Sequence, residues 1–571
     1  MRSLITFVLV TSVVSAAPQF RTHNDRLTPR EYASLDAWQA RAAWLRDHVR
    51  ASAGLLPPPP KTPLRAHVFD EQRHREYSVS KVYFESLPGF FVTGNLYRPI
   101  GAGPFPAILS PHGHWPWGRL ENTSVVSGPG RAINFARQGF VVFTYDMIGY
   151  NDSRQLTHEF GGRRERLWGL SLSGLQLWNS VRSVDFLESL PEVDRDRIGC
   201  TGESGGGTQT FLLAAVDERI KVAAPVNMIS LHMQGGCLCE NPPGLRLDTN
   251  NVELGALTAP RPLLMVSATG DWTNETLEVE YPAMRRIYAL FGAESRVHAV
   301  RFDAPHNYNR DSREAVYSWM ARWLQQAPAD VHVAERPFTP DRLPDLLVFH
   351  GRALPEGAVT AGELTDAWIA SSRRLLHEAA PDVLQSGLLH ALGFTRRDPS
   401  DMRQGGNTVV LATDQPALES TLARAGFTVR RAAATPFDSE AAAKIEHFAT
   451  YNRTDASQRV VDLVRALDDS PGAMLVADGS FGVPAVLALA VVPVDRAVID
   501  VGRFDPTSDD EFLARLDIPG IRRAGDVRTA LSMATGRVTL HNAGDRFTAD
   551  GQPVESRQLT PSEIVGALKQ R

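Results

Sequence analysis

The spacing of apolar and polar positions changes several times along the 571 residues, and each change marks an element. Between Pro29 and Arg50, Tyr32, Leu35, Trp38, Ala42 and Leu45 recur at helical spacing, until the run Pro57-Pro58-Pro59-Pro60 stops the helix. This predicts a helical preface within residues 17–64. Short apolar, β-branched runs follow at Tyr77 to Phe84, Phe90 to Tyr97, Pro106 to Ser110 and Val141 to Tyr145, and they read as strands. A helical stretch is expected from Leu167 to Leu190. Strands and helices then alternate: strand Arg197 to Thr201, a helix after Ser204, strands Lys221 to Val226 and Pro262 to Ser267, helix Leu277 to Leu290, strand Val297 to Phe302, and helix Arg310 to Leu324. Such alternation predicts an α/β fold with a doubly wound, mainly parallel sheet over residues 65–326.

Pro328, Pro337, Pro340 and Pro344 stand among charged residues and predict an extended linker over 327–345. Beyond it, strands are expected at Thr408 to Ala412, Phe427 to Arg431, Ala473 to Ala477 and Arg496 to Val501, which makes 346–571 a second α/β domain. The apolar stretch Val483 to Val494, interrupted by Pro484 and Pro493, reads as a buried core helix.

The N-terminus adds a compartment to this picture. Met1-Arg2-Ser3 carries one positive charge, Leu4 to Val14 is mostly apolar, and Val14-Ser15-Ala16 supplies a cleavage site, so residues 1–16 read as a signal peptide and the protein as secreted or periplasmic. The run is too short to span a bilayer, which needs roughly 20 residues. No membrane attachment is expected after cleavage.

Composition excludes other classes. With 43% hydrophobic and 22% charged residues the chain is neither disordered nor fibrous. Its 60 basic residues, all but five of them Arg, face 65 acidic ones and are scattered without a basic stripe, which argues against a nucleic-acid partner. Three cysteines cannot form a disulfide framework.

The candidate chemistry centres on Gly202-Glu203-Ser204-Gly205-Gly206, a G-x-S-x-G elbow between an apolar strand and a helix-forming run. A phosphate loop would need a lysine there, and none is present. A serine hydroxyl needs a histidine base held by a carboxylate. Asp271 and His306 follow the strands Pro262 to Ser267 and Val297 to Phe302, and the order Ser, Asp, His is that of α/β-hydrolases. Asp303 is a competing acid, but it lies only three residues from His306. Backbone N–H groups at Gly113, His114 and Gly205 are the expected oxyanion hole. Trp115, Trp117 and Trp272 flank these motifs and offer flat faces to sugar rings. No metal or cofactor is expected. Near His112-Gly113-His114 only Glu121 could serve as a carboxylate ligand, and no third histidine lies at ligand spacing. Cys237 and Cys239, one residue apart with His232 near them, and Cys200 on the strand before the elbow offer zinc donors, but metal binding ranks below plain structural use.

Pro111-His112-Gly113-His114, Tyr145-Asp146-Met147-Ile148-Gly149-Tyr150, Gly202-Glu203-Ser204-Gly205-Gly206-Gly207 and Ala304-Pro305-His306-Asn307-Tyr308 resemble the secreted acetylxylan-esterase-like and dienelactone-hydrolase-like α/β-hydrolases. The resemblance implies a serine carboxylesterase with Ser204 as nucleophile, His306 as general base and Asp271 as its orienting acid. Dienelactone hydrolases proper use cysteine, so serine departs from that branch. Prolyl peptidases share the elbow, but the short preface leaves no room for their propeller. In the second domain Ala477-Asp478-Gly479-Ser480-Phe481-Gly482 looks like a degenerate elbow, with Asp500 and His541 following in the right order. Asp478 replaces the first glycine, so this copy is expected to be non-catalytic.

These readings combine into an exported serine esterase that removes small acyl groups, acetyl foremost, from plant polysaccharide through an acyl-enzyme. Two alternatives stand beside it. A uronate methyl esterase would draw on Arg119, Arg163, Arg164 and Arg166; a catalytically inactive carbohydrate-binding or scaffold protein would need no triad.

Overall fold

The computed structural model describes residues 20–398, 406–413, 415–549 and 551–570. The expected signal peptide lies outside them. The first sheet has nine strands in the order β1-β2-β3-β5-β4-β6-β7-β8-β9. Strands β1 (His67–Arg73), β2 (Tyr77–Leu87) and β3 (Phe90–Pro99) form an antiparallel ribbon that joins β5 (Val141–Tyr145) antiparallel. From β5 onward all pairs are parallel: β4 (Phe105–Ser110), β6 (Val193–Glu203), β7 (Ile220–Val226), β8 (Leu263–Gly270) and β9 (Val297–Pro305). Every residue of β5 is buried, as is expected of a strand covered on both faces.

Three local differences from the sequence reading have physical causes. Strand β1, HVFDEQR, carries no apolar alternation because it is an exposed edge that pairs only with β2. The expected helix Leu167 to Leu190 is divided: a short helix Arg163–Leu167 ends before Gly169, whose φ of 67° breaks the helical path, and Ser171 caps the helix Leu172–Ser189 through its side chain. The expected helix Leu277 to Leu290 opens with a π-turn, Thr276–Glu280, before the α-helix Tyr281–Leu290. Pro282, which has no N–H to give, sits in that first α-turn.

The second sheet is wholly parallel, with the order β11-β10-β12-β13-β14, where β10 is Thr408–Ala412, β11 Thr428–Arg431, β12 Met474–Ala477, β13 Arg496–Asp500 and β14 Arg537–His541. In the apolar stretch after β12 the helix covers Gly482–Ala488, every residue of it buried.

Residues 327–345 are mostly extended, yet they lie on the first sheet's helices. Glu335 pairs with Arg313 at 2.6 Å, the N–H of Arg336 donates to Asn134 at 2.9 Å, and Phe338 packs over Gly130. The helix Leu35–Ser52 contributes Trp38, Leu45 and Val49 to an apolar core that continues into residues flanking the second sheet, including Leu388, Leu392 and Ala524. Between the sheets the buried Arg523 donates to Ser372 Oγ at 2.6 Å and to the Pro57 carbonyl at 2.7 Å while lying over the Trp368 ring. Among the described residues no helix is long and apolar enough to cross a membrane.

Candidate active site

Strand β6 ends at Glu203 and a helix starts at Gly205, so Ser204 occupies the corner alone, with φ 56° and ψ −123°. That strained conformation is the signature of a nucleophile elbow. The flanking glycines are required by space: a Cβ on Gly202 would lie 2.4 Å from the Pro111 carbonyl oxygen, and one on Gly206 would lie 2.6 Å from the same atom. The elbow is thus wedged against the loop that follows β4.

His306, beyond the end of β9, places Nδ1 2.8 Å from Oδ2 of Asp271, which follows β8. The Asp271 side chain is buried, and its other oxygen accepts the N–H of Thr273 at 2.7 Å and the Thr273 hydroxyl at 2.5 Å. With Nδ1 donating to a carboxylate, His306 Nε2 is left as the basic nitrogen, and it is buried without a hydrogen-bond partner. Asp303 accepts from the Thr269 hydroxyl at 2.7 Å on the surface and makes no bond to His306. The His306 loop is tied down behind the ring. Asn227 Nδ2 donates to the Asn307 carbonyl at 3.0 Å, and the hydroxyls of Tyr308 and Thr201 meet at 2.7 Å.

Trp115 and Trp272 both lie against the His306 imidazole, with ring centroids 6.0 and 4.5 Å away. One face of each indole is therefore taken up by the His306 ring instead of being free for a sugar. Trp115 also donates its indole N–H to Glu203 at 3.1 Å, which links the His306 ring through this indole to the residue beside Ser204. Trp117, 52% exposed, makes no ring contact with His306 and keeps its face open to solvent.

The expected oxyanion hole needs one correction. The N–H of Gly113 is donated to Glu203 Oε1 at 3.1 Å, because a buried carboxylate sits directly behind the loop. His114 and Gly205 remain as main-chain donors. Glu203 is held by Arg131 at 2.7 Å, Arg131 also reaches Ser110 Oγ at 3.0 Å, and its guanidinium lies 4.4 Å from the centre of the Tyr308 ring. His112 is fixed as well. The N–H of Met147 donates to its Nε2 at 2.9 Å, so the ring proton sits on Nδ1 and goes to the Gly113 carbonyl at 2.7 Å. Burial pushes the His112 pKa down to about 3, which keeps the ring neutral. Sequence reasoning missed Arg131, Glu203 and Thr273, whose roles come from contacts across long separations in the chain.

The arginines considered for a uronate are mostly committed elsewhere. Arg119 is fully buried between Asp146 and Asp152, at 2.9 and 2.8 Å. Arg163 pairs with Asp517 at 2.8 Å and Arg164 with Asp509 at 3.1 Å, both across the junction between the two sheets. Arg166 lines a cleft of about 880 Å³ between the two sheets that also includes Leu238, Arg459 and Ser480.

Around the second elbow the geometry differs from the first. Ser480 is exposed, while Asp478, Asp500 and His541 line a small separate cavity. His541 Nδ1 accepts the N–H of Leu559 at 3.3 Å and stands 3.9 Å from Asp500, so this histidine is not oriented as a base by Asp500.

One grouping differs from the sequence reading of the cysteines as merely structural. His114, His158, Cys237 and Cys239 bring one donor atom each to within 4.8 Å of one another, a set able to hold a metal ion. His158 was overlooked because it lies 44 residues from His114 and 79 from Cys237 in the chain, outside any ligand-spacing motif. Cys200 is buried apart from this set, its thiol 3.6 Å from the Thr210 hydroxyl.

Residues 64–230 match the acetyl xylan esterase (AXE1) family model. Over 256 residues the chain is 25% identical to the Bacillus subtilis protein YtaP, covering 42% of this chain and 84% of that one. It is 25% identical over 145 residues to the acetyl esterase Axe7A of Xylanibacter ruminicola, covering 23% of this chain and 30% of that protein. Among solved structures it resembles Methylesterase BT1017, with 30% identity, 61% of this chain and 78% of that chain covered, and a TM-score of 0.49. Residues 64–230 of the first domain are thus similar to the acetyl xylan esterases, and the protein is a carboxylic ester hydrolase on an α/β-hydrolase fold.

Proposed function

We propose that the protein is an exported deacetylase of plant polysaccharide that works through Ser204, His306 and Asp271. The observations that carry the triad are the state of His306, with Nδ1 bonded to a buried carboxylate and Nε2 buried and unpartnered, and the elbow conformation of Ser204 at φ 56°. In this reading Ser204 Oγ attacks the ester carbonyl as its proton passes to His306 Nε2. The tetrahedral oxyanion is met by the N–H groups of His114 and Gly205. Collapse breaks the bond to the sugar oxygen, which takes the proton from His306 to leave as the hydroxyl, and an acyl-serine remains. Water then attacks the acyl-serine with His306 again as base, releasing the acid and restoring the serine. The indole N–H of Trp272 is buried without a partner at the same site, which suits a donor to a substrate oxygen.

Acetyl is favoured by the matched family, and of the candidate uronate clamps Arg119, Arg163 and Arg164 are held in ion pairs, while Arg166 lines the cleft between the sheets. The expected leader would carry the enzyme out of the cytoplasm to such a substrate. The test is release of acetate and methanol, measured side by side from acetylated xylan and methyl-esterified pectin, with wild type and Ser204→Ala. Serine-dependent acetate is the expected result. Serine-dependent methanol alone would replace acetyl with methyl uronate, and no product with any ester would leave the reading without support.

A further inference from the structure

The four-residue cluster beside the nucleophile is built from three separate loops at the same end of the first sheet. His114 follows β4, His158 lies on the segment after β5, and Cys237 and Cys239 lie beyond β7. His114 Nε2 stands 3.0 Å from Cys239 Sγ, and the two histidine rings meet edge to face with centroids 5.2 Å apart. His158 is prepared as a ligand. Its Nδ1 bonds the Ile148 carbonyl at 2.6 Å, which fixes the proton there, and its Nε2 is buried with no hydrogen-bond partner. A metal-bound imidazole has this same arrangement, with the distal N–H held by a carbonyl and the other nitrogen free for the ion. The cysteine loop is pinned too, Asn241 Nδ2 donating to the carbonyls of Gly235 and Cys237 at 2.9 and 2.8 Å.

We propose that His114, His158, Cys237 and Cys239 form a tetrahedral zinc site that joins these three loops. Two sulfurs and two imidazole nitrogens are the donor set zinc prefers, and around Zn²⁺ such donors lie about 3.3 to 3.8 Å apart. The donors here start within 4.8 Å of one another, so small side-chain rotations close the shell. Four protein ligands leave no open position, which makes this a positioning centre and gives the ion no bond to substrate. Its place is informative: a Cβ on Gly205, next to Ser204, would lie 2.5 Å from His114 Cε1. The ion would thus fix the residue whose main-chain N–H faces the oxyanion. Thiols that bind as thiolates release their protons to solvent on loading, so retention should weaken in acid.

The site is tested on the full chain purified without chelator or affinity metal, first by elemental analysis and then after exchange with Co²⁺. One zinc per chain is expected after exhaustive dialysis, and Co²⁺ should give the intense visible bands of tetrahedral cobalt with a near-ultraviolet thiolate charge-transfer band. His158→Ala and Cys239→Ser, scored only as folded protein by circular dichroism, should each lose zinc affinity by more than the roughly 10- to 100-fold that outer-shell partners are worth. The wild-type measurements stand even if both variants fail to fold. A wild type that retains no zinc and gives octahedral cobalt would overturn the site, as would a Cys237–Cys239 disulfide found by mass spectrometry in metal-free protein. Metal content is read without substrate, so failure here is distinct from failure of the ester-hydrolase reading.

Discussion

The main-chain N–H of Gly113 donates to the carboxylate of Glu203 over 3.1 Å, across 90 residues of chain. This bond ties the loop after β4 to the residue preceding Ser204. The carboxylate that accepts it is buried and is neutralised by Arg131 at 2.7 Å. Glu203 therefore positions two walls of the site at once.

Breaking that pair should cost stability before it costs chemistry. Glu203→Gln leaves the Arg131 guanidinium buried without its counter-charge, an arrangement that costs about 3 to 5 kcal/mol. The double variant Glu203→Gln, Arg131→Met should recover part of the loss, because neither charge is then stranded. Urea denaturation of the four proteins in the cycle reads this directly; additive losses would mean that the pair is not coupled.

Asp271 and Asp303 separate cleanly. Asp271→Asn replaces the carboxylate on His306 Nδ1 with an amide and should lower kcat on nitrophenyl acetate by about 10³- to 10⁴-fold with little change in KM. Asp303→Ala removes only a surface bond to Thr269 and should stay within about threefold of wild type. A reversed pattern would transfer the orienting role to Asp303.

Ser204→Ala should abolish turnover, on the order of 10⁴-fold or more, while Ser480→Ala should change nothing measurable. The exposed Ser480 does not line the cavity formed with Asp500 and His541, and His541 spends Nδ1 on the Leu559 N–H. A large residual activity in Ser204→Ala that Ser480→Ala then removes would establish a second centre.

Acid should destabilise the fold through histidines that are buried neutral. Burial lowers the pKa of His48 and of His112 to about 3, and that of His390 to about 4. Unfolded histidine titrates near 6.5, so between these values the unfolded chain binds protons that the folded chain excludes. Stability is therefore complete above about pH 7 and falls as pH drops from 6.5 toward 4, by up to about 1.4 kcal/mol per pH unit for each histidine. Thermal melts at half-unit steps give the slope; a midpoint that stays level from pH 7 to 5 contradicts it.

Much of the first sheet is legible along the chain because strands covered on both faces are continuous apolar runs, and β4, β5 and β7 stand out from their flanks for that reason. The elbow is legible too, since a strand turning sharply into a helix needs glycines at fixed offsets around its serine. Strand β1 is not, because an exposed edge needs no apolar face. Nor is the break at Gly169, where one residue at positive φ ends a helix that composition alone would continue.

For the site the division follows from what a local pattern can encode. The sequence alone nominated Ser204, Asp271 and His306, because residue type, order and position just past strand ends are properties of the chain. Only the tertiary structure decided where hydrogen bonds point and which distant loops meet. It gave the Gly113 N–H to Glu203, turned Trp115 and Trp272 onto His306, enclosed Arg119 between two aspartates, and gathered His158 with His114, Cys237 and Cys239. Each of these depends on approach angles and burial set by packing across the sheet, and residues dozens of positions apart carry no mark of that packing in their order.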